Sequence, residues 1–173
     1  MATGMIDSEY FRDMYGSQRM HELFCDRARF QGWLNFEAGL ARAQARLGLI
    51  PQSAADEINT RAKVEHIDLA AMKAEFDQVG FPISPLVHQL AKAVSEETSR
   101  YVHWGSTTQD VIDTGMVLQI RNGLDALDDM LGELQQVLVK LAEQHRNTIT
   151  VGRTLQQQAA PITLGDNVAI WRA

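Results

Sequence analysis

Between Val117 and Leu141 the apolar residues Val117, Ile120, Leu124, Leu127, Leu131, Leu134, Leu138 and Leu141 recur at alternating steps of three and four. That spacing puts them on one stripe of a helix with the period of long packed helices. Met116, Gly123, Met130 and Val137 recur every seven residues beside the stripe. They widen it into a face that suits burial in a bundle better than a two-stranded zipper. A helix of about 35 residues spans roughly 50 Å, so it dictates the architecture around it. The reading is an all-α chain: a small N-terminal helical domain over 1–109, then the first part of a long-helix bundle over 110–173.

Composition narrows the class. The 173 residues suffice for one domain, or parts of two, and the hydrophobic fraction of 45% is that of a globular core. The net charge of -6 argues against a nucleic-acid surface. The one cysteine, Cys25, excludes an internal disulfide and fits a reducing compartment. No apolar run approaches the roughly 20 residues that span a bilayer. Met1 to Phe11 lacks the charged-then-apolar layout of a signal peptide. The expectation is a soluble, cytoplasmic protein without a membrane segment.

Before the long helix the chain is punctuated in an ordinary way. Tyr15-Gly16-Ser17 looks like a turn, and a helical pattern starts at Met20 with Leu23, Phe24, Phe30, Trp33, Leu34, Phe36, Glu37, Leu40, Ala43 and Leu47 on an apolar face that Phe36 and Cys25 broaden. Gly48 and Pro51 stop it. A short helix from Ser53 to Arg61 has Ser53 as its expected cap and Asp56 as the reciprocal acid. Asp68 caps another that ends near Gly80; Ser84 and Pro85 open a third that runs to about Glu97. No stretch alternates as a β-strand does. His21 and Cys25, four apart on a helix, are too few for a metal site, and Cys25 is expected buried. His66 and His145 read as surface residues, and His88 as a half-buried packing residue.

Three polar stretches carry the functional expectations. In His103-Trp104-Gly105-Ser106-Thr107-Thr108-Gln109-Asp110, Thr107 and Asp110 have capping-box spacing. The box leaves His103, Ser106, Thr108 and Gln109 unexplained, so capping and anion binding both stand. A long helix's N-terminus offers free N–H groups and a positive dipole end to a carboxylate. Gly105 lets the backbone approach a ligand, and His103 could donate to a carboxylate or carry a proton near neutral pH. The second stretch, Gly152 to Gly165, reads as a break or irregular turn. Its Arg153 has the fork geometry that grips carboxylates, with Thr154, Gln156, Gln157 and Gln158 as neutral donors. The third, Phe81 to His88, is a double-proline turn in which Ser84 could donate to an anion.

These stretches resemble the signatures of a known family. The run Ser99 to Thr114 is similar to the first signature of the fumarase/aspartase superfamily, and Gly152-Arg153-Thr154 through Thr163-Leu164-Gly165 to its second. Asp26 to Ala38, with Leu47-Gly48-Leu49-Ile50-Pro51, resembles the N-terminal helices of its adenylosuccinate lyase and carboxymuconate branch. The resemblance implies the N-terminal portion of a homotetrameric enzyme without a cofactor. Each active site would be shared between subunits, and the serine-bearing third signature would fall after Ala173. The implied chemistry acts on a polycarboxylate through an aci-carboxylate intermediate. Ser84, Ser106, Thr107, Thr108, Gln109, Arg153, Thr154 and Gln157 would bind substrate, and His103 would orient it or donate a proton. These 173 residues alone would be inactive.

Adenylosuccinate lyases carry a histidine where this chain has Leu155, a His-Asp pair at Ser84-Pro85-Leu86, and Arg-Tyr at Met14-Tyr15. These departures argue against a nucleotide substrate, and the wording of the first signature resembles the 3-carboxy-cis,cis-muconate cycloisomerase branch. A C–N lyase releasing fumarate from an N-substituted aspartate is the alternative; a helical-bundle module serving assembly alone is the alternative of another class.

Overall fold

The computed structural model describes residues 4–6 and 8–172, so the signal-peptide reading of Met1 to Phe11 falls partly outside it. Among the described residues eight α-helices follow one another with one hairpin between the last two: α1 Gln18–Phe24, α2 Asp26–Arg46, α3 Gln52–Arg61, α4 Leu69–Val79, α5 Ile83–Ala93, α6 Glu96–Ser99, α7 Thr108–Gln144, strands β1 Ile149–Thr154 and β2 Gln157–Thr163, and α8 Leu164–Arg172. The all-α class holds. The chain divides into two compact units, Met1–Gly123 and Leu124–Ala173, the boundary falling within α7. No helix among the described residues is long and apolar enough to cross a membrane.

The core of the first unit is built on α2. Trp33, Leu34, Ala38 and Ala41 are buried along one face, at the three- and four-residue steps that keep side chains on one side of a helix. Ile58 of α3, Ile83, Leu86 and Leu90 of α5 and Val111 of α7 join them in one cluster. Gln31 closes its end: its amide donates to the Ala62 carbonyl at 3.1 Å and its oxygen accepts from the Val64 N–H at 3.0 Å. Truncating a leucine as buried as Leu34, Leu86 or Leu90 costs about 2–5 kcal/mol.

Several helix ends depart from the sequence reading. The first helical pattern breaks at Cys25, whose extended backbone ends α1 and opens α2. Its thiol donates to the Glu22 carbonyl at 3.3 Å, and the residue is exposed, not buried. Ser53 caps nothing: α3 starts at Gln52 behind Pro51, whose ψ of 142° already sets the turn. Likewise α5 starts at Ile83 behind Pro82, so Ser84 and Pro85 lie inside its first turn, where a missing N–H costs nothing. The helix stops at Ala93 because Ser95 is drawn away: its N–H and its hydroxyl both bond Glu57 at 2.7 Å, and its oxygen caps α6. Asp68 caps α4 and Gly80 ends it in the left-handed conformation, as expected. His88 is exposed and paired with Glu75, not packed, whereas His66 is exposed as read and His145 half-buried.

The second polar stretch forms strands, contrary to the absence of any alternating pattern. β1 and β2 pair antiparallel with Thr154 opposite Gln157, so Leu155 and Gln156 alone make the turn. Both have positive φ, 47° and 65°, the backbone of a type I′ hairpin turn. That turn usually signals itself by Asn-Gly or Asp-Gly, and Leu-Gln gives no such signal. The register shifts between Val151 and Arg153, and a side chain at Gly152 would come within 2.7 Å of the Ala160 carbonyl oxygen. Gly152 therefore marks a bulge rather than a helix break.

In the first unit α2 and α7 touch backbone to backbone. A Cβ on Gly32 would lie 3.3 Å from Gly115 Cα, and one on Gly115 would lie 2.4 Å from Cδ1 of the buried Trp33 ring. Gly115→Ala must displace that ring or part the helices. We expect a loss of about 1–3 kcal/mol in urea unfolding; an unchanged midpoint would show that the helices are not held this closely.

Candidate active site

The first signature lies against the C-terminal half of α2, which carries Glu37 and Gln44. Seven residues apart, these two side chains share the helix face that meets the loop before α7. The Gln44 amide donates to the Trp104 carbonyl at 2.6 Å, and Glu37 Oε1 lies 2.6 Å from His103 Nδ1. The loop bends where it is held: His103 has φ 57° and Gly105 φ 80°. Glycine takes the left-handed conformation without strain, while histidine adopts it because a fixed partner holds the ring.

Glu37 is 2% exposed, and its Oε2 is buried without a hydrogen-bond partner. Burial pushes its carboxyl above the ordinary glutamate value of 4.5, with the His103 contact working in the opposite direction. Ser106 Oγ lies 3.1 Å from the same Nδ1. One ring nitrogen thus serves two neighbours, an arrangement unlike a nucleophilic triad, where the hydroxyl meets the nitrogen opposite the carboxylate. The Asp110 half of the capping box forms, its Oδ2 accepting from the Thr107 N–H at 3.0 Å. The Thr107 and Thr108 hydroxyls make no hydrogen bond among the described residues, so both can donate outward. Gln109 is tied to Asp113 at 2.6 Å. Ser84 is exposed in the first turn of α5.

The second group stands on the hairpin. Thr154 and Gln157 face each other across the two-residue turn, with Arg153 opposite Gln158 one step further in. Arg153, Thr154 and Gln157 are all exposed, and Leu155 at the tip is 92% exposed. Arg153 has no ion-pair partner among the described residues, which leaves its guanidinium fork open to an acidic ligand. Sequence reasoning noted Glu37 only as part of an apolar face and passed over Gln44. The signal was there in principle: two polar residues on a stripe of Trp33, Leu34, Ala38 and Ala41.

Comparison with known proteins places the chain. A family model described as lyase matches residues 15–173. The 3-carboxy-cis,cis-muconate cycloisomerase of Pseudomonas putida is 42% identical over 167 residues, 95% of this chain and 40% of that protein. Adenylosuccinate lyase of Methanocaldococcus jannaschii is 35% identical over 159 residues, 92% of this chain and 34% of that one. A crystal structure of the 3-carboxy-cis,cis-muconate lactonizing enzyme from Pseudomonas putida superposes with a TM-score of 0.85 at 42% identity, over 94% of this chain and 38% of the other. The chain belongs to this lyase family, within the fumarase/aspartase superfamily. It spans about two-fifths of the length of the cycloisomerase it matches.

Glu37 also gives the fold a pH signature. A carboxyl raised on folding holds its proton more tightly in the native state, so its favourable contribution is complete below 4.5 and disappears as pH climbs through the raised value. Relative to Glu37→Gln, the parent should lose stability as pH rises from 4.5 and then level off. Urea titrations at a series of pH values read this directly; a difference independent of pH would refute it.

Proposed function

We propose that this chain carries two of the carboxylate-binding regions of a lyase or cycloisomerase that works on a small polycarboxylate through an aci-carboxylate intermediate. The carrying observation is the 42% identity to a 3-carboxy-cis,cis-muconate cycloisomerase over 95% of the chain, and carboxymuconate is the substrate we assign. In the closing direction one carboxylate oxygen adds to a double bond, and the carbon beside another carboxylate takes up a proton. Charge accumulates on that second carboxylate as the new C–O bond forms, so fixed donors aimed at its oxygens supply the main stabilisation.

In this reading the hydroxyls of Ser106, Thr107 and Thr108 at the α7 N-terminus hold one carboxylate, aided by the helix's positive end. Arg153, Thr154 and Gln157 hold another, with Gln109 and Ser84 in supporting contacts. His103 orients the substrate or passes a proton. We assign the principal proton-transfer group, the acid in closing and the base in the reverse direction, to the family's third signature, not to residues 1–173, which alone should show no turnover. We also infer a homotetramer in which each site draws on several subunits. The seam on α7 supports it: Val117, Leu124 and Leu131 are 59%, 59% and 58% exposed, an apolar face that water does not favour.

The second reading, a C–N lyase acting on an N-substituted aspartate, draws on the likeness to an adenylosuccinate lyase. Leu155 in the histidine's place weighs against it.

The decisive assay compares ultraviolet loss of carboxymuconate with fumarate release from N-substituted aspartates, using a full-length protein carrying this segment. Turnover of carboxymuconate alone is expected; fumarate release instead would transfer the assignment to the lyase. In the same protein Arg153→Ala should lower kcat/KM roughly 10- to 100-fold, the worth of a hydrogen bond to a charged group. An unchanged kcat/KM would remove Arg153 from the site. Leu124→Glu with Leu131→Glu should leave helicity intact but shift sedimentation to smaller species; an unaltered assembly would place the interface elsewhere.

A further inference from the structure

The carboxylate reading leaves Glu37 without a role, yet it is the most deeply buried acid of the first unit's polar cluster. A carboxylate taken out of water needs compensation, and among the described residues this one has only His103, whose Nδ1 lies 2.6 Å from Oε1, while Oε2 has no hydrogen bond. The other ring nitrogen differs. The His103 side chain is 20% exposed, and its Nε2 makes no hydrogen bond among the described residues. The two ring nitrogens are therefore divided between an inward and an outward role, by a residue 66 positions away in the chain.

We propose that Glu37 is the positioning residue of the first signature: it accepts the Nδ1 proton of His103, fixes the ring, and leaves Nε2 as the only atom through which His103 meets a ligand. The inference rests on the carboxylate reading for what that ligand is, but not for the ring's tautomer. The nitrogen bonded by the second partner decides which tautomer exists. A fixed Nδ1–H presents a lone pair at Nε2, and proton exchange with a bound substrate or water takes place there. Ser106 is freed by the same division: with the Nδ1 proton directed at Glu37, its hydroxyl hydrogen remains available to a substrate carboxylate. Gln44 completes the clamp from the same helix face by holding the Trp104 carbonyl, so both bonds act on consecutive residues of the loop.

Asparagine separates structure from chemistry at this position. It tolerates the left-handed backbone that His103 adopts, and its amide can donate to Glu37 as Nδ1 does, but it has nothing at the place of Nε2. In the full-length protein His103→Asn should melt with the parent while kcat/KM falls about tenfold or more. Parent-like kcat/KM would overturn the proposal. Nitrogen-15 spectra of the histidine-labelled chain, taken above the imidazole titration, test the ring without any substrate. A protonated Nδ1 with bare Nε2 is expected, and the reverse overturns the assignment. Glu37→Gln, which keeps an acceptor oxygen, should preserve that pattern, whereas Glu37→Leu should give mixed tautomers; a pattern unchanged in Glu37→Leu overturns the role of Glu37. Arg153→Ala reports on carboxylate binding separately, so failure of either idea is visible without the other.

Discussion

A carboxylate inside an apolar face is the constraint on which the first unit's functional end depends. The apolar residues on the inner side of α2 tolerate exchange for others of similar volume at modest cost. Glu37 carries a further constraint, because its burial as an anion is tolerable only while His103 stays within hydrogen-bond reach. That requirement reaches outward. It holds a histidine in the left-handed region, and the next left-handed residue, Gly105, turns the chain back so that the first turn of α7 starts with Thr108. The hydroxyl-rich helix start is thus a consequence of one buried bond as much as of its own capping residues.

The sequence disclosed what repeats and hid what occurs once. Eight seam residues at three- and four-residue steps specified α7, and the glycine and proline near Gly48 and Pro51 marked the end of α2. Caps that satisfy a single helix, such as Asp68, were legible for the same reason: the partner lies within a few positions. Ser53 and Ser84 failed as caps because proline just before each had already set the helix entry. The β-hairpin was hidden by a turn of Leu155 and Gln156, whose left-handed backbones no local preference announces. Glu37 was hidden differently. Its partner stands 66 residues later, and a charged residue on an apolar stripe looks like an ordinary imperfection until both are seen together.

The two signature regions differ in how their donors are held. At the start of α7 the donors crowd beside a rigid core, and Asp110 already occupies one N–H. Under the proposed function a ligand there would meet a preorganised surface and lose little in ordering it. On the hairpin, Arg153, Thr154 and Gln157 are exposed on a two-stranded ribbon, an element with little independent stability. Non-glycine residues in left-handed conformations at such a tip store strain, a recurrent property of ligand-clamping segments. Under the proposed function this division would suit a site where one region defines the anchor and another adapts to the substrate.

The glycine pair between α2 and α7 has a consequence beyond packing. With Gly32 against the backbone of Gly115 and Trp33 filling the adjoining space, neither helix can creep along the other without driving an indole into a main chain. The contact acts as a dowel that indexes one helix against its neighbour. Sliding is thus resisted by solid contact, which backs up the hydrogen bond in keeping Glu37 within reach of the loop it governs.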